Sequence, residues 1–300
     1  MNTRIGLLGA ALVVQLLLIA LLVGWDRSGD ATSAKLLDMD AEAVTRMLVS
    51  DNAGTIELTR SDDGWRFGER KADGEKAEEL LSTFADLDAG WPVATTADSA
   101  KRFEVAADDF QRKLEFFAGE ERVGEVFLGT SPRFERVHAR VGGASEVFSV
   151  AFSSFKAPVE ADDWLDKGQL GTEGVVQSIQ ASTGASLSRG AEGWLLNGAA
   201  ADQESADGYA ERFANLRVLG GADAVPSNAQ AAGTIEIVDG EGAVTLSFHH
   251  ETVEDDYFVT STRVPGVFKV ATYVAEQLLS DGSDLQAEPE MPLEPSDDLP

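Results

Sequence analysis

"LTRSDDGWRF", residues 58–67, returns later in the chain as "LSRGAEGWLL", residues 187–196. Leu58 and Leu187, Arg60 and Arg189, Gly64 and Gly193, and Trp65 and Trp194 each stand 129 positions apart. The same offset carries on to Phe84 and Phe213, Ala85 and Ala214, and Leu87 and Leu216. It then falls to 121 for Gly119 and Gly240, Val123 and Val244, and Phe127 and Phe248. It ends at 120, where "VFSV" at 147–150 meets "VFKV" at 267–270. One element order with a shrinking offset is the mark of a duplicated unit. The second copy is about nine residues shorter, most of them lost around 95–112. Solenoids need shorter periods and at least three units, so a tandem pair is expected.

Each copy reads the same way. "AVTRMLVSD" and "GVVQSIQAS" open as strands, and "TIELTRSD" and "ASLSRGAE" alternate apolar and polar residues, the period of a half-buried strand. Asp63-Gly64 and Glu192-Gly193 turn each chain into a short strand that carries the tryptophan. The repeated indole is expected to pack the sheet against the next segment. That segment is a helix: Ala77, Leu80, Leu81, Phe84 and Leu87 make one apolar stripe, as do Ala206, Tyr209, Ala210, Phe213 and Leu216. Hairpins follow around Gly119-Glu120 and Asp239-Gly240, then around Gly142-Gly143 and Pro265-Gly266. "AFSSFKAPVEADDWLDKG" and "ATYVAEQLLSDG" read as short helical ends. Mostly antiparallel strands with one main helix per copy define an α+β fold. The structural anchors of the two copies are Leu58, Trp65, Phe84 and Leu87, and Leu187, Trp194, Phe213 and Leu216.

Residues 5–23, "IGLLGAALVVQLLLIALLV", hold one clearly polar residue, Gln15, and no charge. As a helix this run is roughly 28 Å long, the thickness of a bilayer's hydrocarbon. Arg4 precedes it; Trp25 and then Asp26, Arg27 and Asp30 follow. A cleaved signal peptide has a shorter apolar core and a small-residue cleavage site, which "GWDRSGD" does not offer. The reading is an uncleaved single-pass signal-anchor with its positive end in the cytoplasm and the remaining chain outside. The expected order is a cytoplasmic tip (1–4), an anchor (5–25), a linker (26–36), a first repeat (37–168), a second repeat (169–280) and a disordered acidic tail (281–300). The tail's excess of acid and proline supports its place in that order.

Charge and composition exclude several classes. Asp and Glu total 52 against 24 Lys and Arg, a formal net charge of −28, which repels nucleic acid and anionic lipid headgroups. There is no cysteine, so disulfides, thiolate metal sites and cysteine nucleophiles are absent. No nucleophile elbow, phosphate loop, dinucleotide fingerprint or zinc-protease motif occurs. The nearest approach to a metal cluster is "HHETVE", residues 249–254, at a strand end where adjacent histidines face opposite ways. Asp38, Asp40 and Glu42 lack the glycine of a calcium loop and read as acids at a helix start. With so many acids, carboxylate pairs suited to glycoside hydrolysis carry no specificity. Arg60 and Arg189 are expected to pair with an acid on a neighbouring strand. No catalytic, cofactor-binding or metal-binding residue is assigned.

The stretch "LTRSDDGWRF" with its helix "KAEELLSTFADL", the hairpin end "ARVGGASEVFSV" and the mid-chain "DDWLDKGQL" together resemble an uncharacterised family. The likeness covers about residues 36–280. Its joint between copies is matched here by Asp163, Trp164, Asp166 and Lys167. The resemblance implies one transmembrane helix and a twice-repeated extracytoplasmic α+β domain of unknown function. Such genes often lie beside ABC transporters of the gliding-motility or auxiliary-exporter type. It therefore implies a non-enzymatic, inner-membrane-anchored periplasmic accessory of a transporter or envelope complex, and supplies no catalytic residue. A glycan- or peptide-binding module and an envelope hydrolase using paired carboxylates are the other expectations.

Overall fold

The computed structural model describes residues 34–287. The expected anchor and the last thirteen residues of the acidic tail lie outside that range. Among the described residues no helix is long and apolar enough to cross a membrane. The chain is mostly β-sheet with a few helices, an α+β protein.

The first half contains β1 (Arg46–Ser50), β2 (Thr55–Ser61), β3 (Gly64–Phe67), β4 (Arg70–Lys71), α1 (Gly74–Asp86), β5 (Pro92–Ala94), α2 (Ala97–Arg102), β6 (Val105–Ala106), β7 (Asp109–Phe110), β8 (Arg112–Ala118), β9 (Glu121–Leu128), β10 (Val137–Val141) and β11 (Val147–Val150). The second contains β12 (Ser178–Ala181), β13 (Ser186–Gly190), β14 (Gly193–Leu196), β15 (Ala199–Ala200), α3 (Gln203–Ala214), β16 (Val218–Ala222), β17 (Gln230–Asp239), β18 (Gly242–Glu251), β19 (Asp256–Ser261), β20 (Val267–Val270) and α4 (Thr272–Leu278). Two nine-stranded sheets result, in the orders β4-β3-β2-β1-β8-β9-β10-β11-β5 and β15-β14-β13-β12-β17-β18-β19-β20-β16. The two orders coincide strand for strand. In each, the main helix joins one edge strand to the opposite edge strand, so its apolar stripe has a whole sheet face to cover. Every pairing in the second sheet is antiparallel.

The first half alone carries α2 and the small β6–β7 hairpin, in the region where the second half is shorter. Ala100, Val105, Ala106, Phe127 and Val147 form their own apolar cluster there. Arg140 fastens it from β10: its Nε donates to the Val105 carbonyl at 2.6 Å while the guanidinium lies 4.6 Å from the Phe127 ring centre. The reading of the second long hairpin shifts by one residue: Asp239 pairs with Gly242, so the turn is Gly240-Glu241.

By its contacts the chain forms two compact units: one of residues 34–44, 49–54 and 80–157, the other of 45–48, 55–79 and 158–287. In the first, Phe84 packs on Phe116 and Phe152 with ring centres 5.5 and 4.8 Å away. In the second, Trp194, Tyr209, Phe213, Ile235, Ile237, Leu246, Phe248 and Phe268 share one core. Ordered structure in that unit runs past residue 280, further than acidity and proline content suggested. Ser283–Leu285 forms a 3-10 turn, Leu285 is buried, and its carbonyl accepts from the Asp202 N–H at 3.0 Å. One apolar residue placed against the core outweighs the local composition.

Candidate functional site

The residues that recur in the opening motif are tied to one another. In the second unit, Trp65 is buried on β3 and its indole N–H donates to Glu78 Oε1 on α1 at 2.7 Å. Arg60, one strand away on β2, donates to the same carboxylate at 2.6 Å and lies 5.0 Å from the indole centre. The second half repeats the arrangement. Trp194 Nε1 donates to Asp207 Oδ1 on α3 at 2.7 Å, Arg189 reaches that carboxylate at 3.3 Å, and its guanidinium sits 4.2 Å from the Trp194 ring centre. The arginines therefore pair with a helix, not with a neighbouring strand. The glycine before each tryptophan is required by the backbone: Gly64 and Gly193 have φ of 105° and 133°.

All eight anchor positions, Leu58, Trp65, Phe84, Leu87, Leu187, Trp194, Phe213 and Leu216, are buried. Each tryptophan presents one polar atom, and that atom is occupied by the helix carboxylate. Glu78 and Asp207 differ in identity but share their charge, and they too stand 129 positions apart. The signal was available in charge rather than in residue type.

A cleft in the second unit encloses about 710 Å³. It is lined by the β2–β3 turn, the start of α1, the mid-chain joint at Asp166–Gly168, and Arg217. The joint holds its shape through several contacts. Trp164 is buried, with its indole N–H on the Pro158 carbonyl at 2.9 Å. Lys76 Nζ stands 4.9 Å from that ring centre and donates to the Asp163 carbonyl at 2.7 Å. Asp166 accepts from the Gly168 N–H at 2.9 Å and pairs with Lys71 at 3.5 Å, while Lys167 Nζ donates to the Leu219 carbonyl at 2.5 Å. Asp73 caps α1 by accepting from the Lys76 N–H at 3.0 Å. The lining contains no histidine, serine or threonine. Its chemistry is that of mixed fixed charge, with Asp63, Asp73, Glu75 and Asp166 facing Lys71, Lys167 and Arg217.

Within the histidine stretch, His250 and Glu251 are held by nearby partners. Glu251 accepts from Asn228 Nδ2 at 2.6 Å and from the Val253 and Glu254 N–H groups at 2.9 and 2.7 Å. His250 stacks on Tyr257 and bonds Asp255 at 2.8 Å. Asp40 caps a 3-10 turn, Ala41–Ala43, by accepting from the Glu42 N–H at 3.0 Å. Among the described residues no three His, Asp or Glu side chains are grouped as a metal site requires.

One strongly perturbed acid lies in the second unit. The Asp239 carboxylate takes two bonds from the Arg263 guanidinium, both 2.8 Å, and one each from the Glu173 and Glu241 N–H groups at 2.9 and 3.0 Å. The arginine's hydrogen bonds outweigh the opposing effect of burial and hold Asp239 down at about 2. This braces the β17–β18 turn against the segment after β19.

No curated protein and no solved structure matches the chain. A family model described as "Domain of unknown function (DUF4340)" matches residues 68–233, from the β3–β4 turn through both main helices and into β17. That span is more than half of the sequence, and the chain belongs to this domain-of-unknown-function family, DUF4340.

Proposed function

We propose that this chain is a non-enzymatic accessory of a transporter of the ABC type or of another cell-envelope assembly. An N-terminal helix (residues 5–25) holds it to the inner membrane, and its folded part lies on the periplasmic side. Two copies of one ancestral unit make up that part. The observation that carries the reading is the fate of the repeated polar residues. Arg60, Trp65 and Glu78, and Arg189, Trp194 and Asp207, bond to each other and tie a strand pair to the main helix in each half. A duplication whose retained residues lock sheet to helix was selected for a scaffold. The 19 uncharged residues at 5–23 support the anchor.

Crosslinking in intact cells, followed by purification in mild detergent, tests this. A reproducible crosslink to a membrane transporter component or another envelope protein is expected. Recovery of the chain free of any membrane or envelope partner, together with turnover of a substrate, overturns it.

A second reading is favoured by one observation, the 710 Å³ cleft with its alternating Lys71, Asp166, Lys167 and Arg217. It suits an extended polar peptide. A peptide-array screen with Lys71→Glu and Arg217→Glu as controls separates this reading from the first.

A further inference from the structure

Three aromatic side chains stand in solvent in the first compact unit: Trp91 is 85%, Phe134 88% and Phe155 94% exposed. Their attachments share one end of the first sheet. Val137 pairs with Val150, so the loop that carries Phe134 reaches the sheet where β11 leaves it. Phe155 follows that exit, held in a 3-10 turn, Ser154–Lys156. Pro92 pairs with Phe148 on the antiparallel β5, which brings Trp91 to the same end. Arg136 ties the Phe134 loop to β11 through Ser149, donating from Nε to Oγ at 3.0 Å.

The chain enters the described structure beside this cluster. The Leu36 N–H donates to the Leu87 carbonyl at 2.6 Å, the Ala89 N–H donates to the Ala34 carbonyl at 2.9 Å, and Lys35 pairs with Asp86 at 2.9 Å. Followed backwards from Leu36 to Ala34, the chain heads toward Gly90 and Trp91. Only residues 24–33 then separate it from the apolar run 5–23, a reach of at most ~35 Å. Apolar side chains grouped at one exposed end of a sheet mark an interaction surface. Tryptophan favours the boundary between headgroups and acyl chains, and phenylalanine is among the apolar residues that surface-bound segments bury there. Arg133, Arg136 and Lys156 flank the aromatics, so bases outnumber the local acids Asp88 and Glu135 in a chain whose net charge is −28.

We propose that Trp91, Phe134 and Phe155 form a lipid-contact patch that rests in the interface of the same bilayer that holds the N-terminal segment. The proposal depends on the anchor reading above and adds a second point of contact to it. Two attachments fix the orientation of the folded part toward the membrane, where a single flexible linker leaves it free to turn.

The sequence has no cysteine, so single-cysteine variants of the full chain take one label each. Trp91→Cys, Phe134→Cys, Phe155→Cys, Gln15→Cys and the exposed control Val253→Cys are labelled with an environment-sensitive fluorophore and reconstituted into phosphatidylcholine vesicles. The vesicles carry quenchers either at the headgroup or deep in the acyl region. Expected is headgroup-level quenching at 91, 134 and 155 at least about threefold above that at 253, with deep quenching at 15. Labels at the three positions as unquenched as at 253, with 15 deeply quenched, overturn the patch and leave the anchor standing. Labels shielded from water but untouched by either lipid quencher assign the cluster to a protein partner and also overturn it. An unquenched label at 15 overturns the anchor, and the patch with it.

Discussion

Replacing Asp239 with asparagine removes one charge from a brace whose every partner is visible. The aspartate side chain is fully enclosed, and Arg263 is mostly so. The two guanidinium bonds at 2.8 Å are lost as charged contacts, and Arg263 keeps the Gly242 carbonyl at 3.1 Å and a longer ion pair with Glu241 at 3.9 Å. Breaking a buried pair by removing one partner costs roughly 3–5 kcal/mol. The partial exposure of Arg263 puts the expected loss near the lower end, about 3 kcal/mol at pH 7. The pH dependence follows from the same bonds. Asp239 titrates at about 2 in the folded chain against an ordinary 3.8. The unfolded state therefore takes up its proton first as acid is added. The stabilisation is complete above pH 4 and is lost as pH falls from about 4 to about 2. At 1.36 kcal/mol per unit, about 2 kcal/mol is at stake in that window. Denaturation of the detergent-solubilised chain, followed by emission of the buried tryptophans, reads both quantities. Wild type and Asp239→Asn should differ by about 3 kcal/mol at neutral pH, and the gap should narrow by most of 2 kcal/mol toward pH 2. A gap below 1 kcal/mol at pH 7, or one that stays constant across the acid range, would refute the brace.

Three other outcomes are expected. Trp194→Ala should cost about 3–5 kcal/mol, because the ring fills the core, whereas Arg189→Ala should cost at most ~1 kcal/mol, because its ion pair is partly exposed; equal effects in thermal melts argue against a packing role for the tryptophan. Gly129→Ala should destabilise by about 3 kcal/mol or more, since an added Cβ stands 1.9 Å from the Phe103 carbonyl oxygen; an unchanged melting temperature contradicts that packing. Burial holds His138 below its ordinary 6.5, against the opposing effect of its bond with Thr130. The stabilisation is present above that value and lost as pH drops below it, so His138→Gln should flatten the dependence of the melting temperature on pH below neutrality.

The periodic features of the fold were legible residue by residue. Ala77, Leu80, Leu81 and Phe84 face one way on a 3.6-residue helix whatever they pack against, so their stripe predicts both the helix and its buried side. Offsets that shrink only in steps, from 129 to 121 to 120, carried the likeness of the two halves, and the two sheets have one strand order. The roles of the repeated polar residues were less legible. Arg60 and Arg189 recur in the text of the chain, but a guanidinium reaches carboxylates in many directions, and their partners lie 18 positions away on a helix. The lipid-facing aromatics were invisible for a similar reason. Trp91, Phe134 and Phe155 fall on three separate loops, and nothing in their spacing marks them as exposed or as neighbours.

The sequence by itself determined that the chain is duplicated in pattern, which residues face inward, and that residues 5–23 form an uncharged apolar run. These follow from short-range periodicity and from composition, which act over a few residues at a time. Tertiary structure alone decided that Glu78 and Asp207 complete the tryptophan contacts, that Leu285 belongs to the core, and that Arg263 clamps Asp239. Those contacts join residues far apart along the chain. Their energies depend on distance, direction and exclusion of water, quantities that exist only once the backbone has been folded.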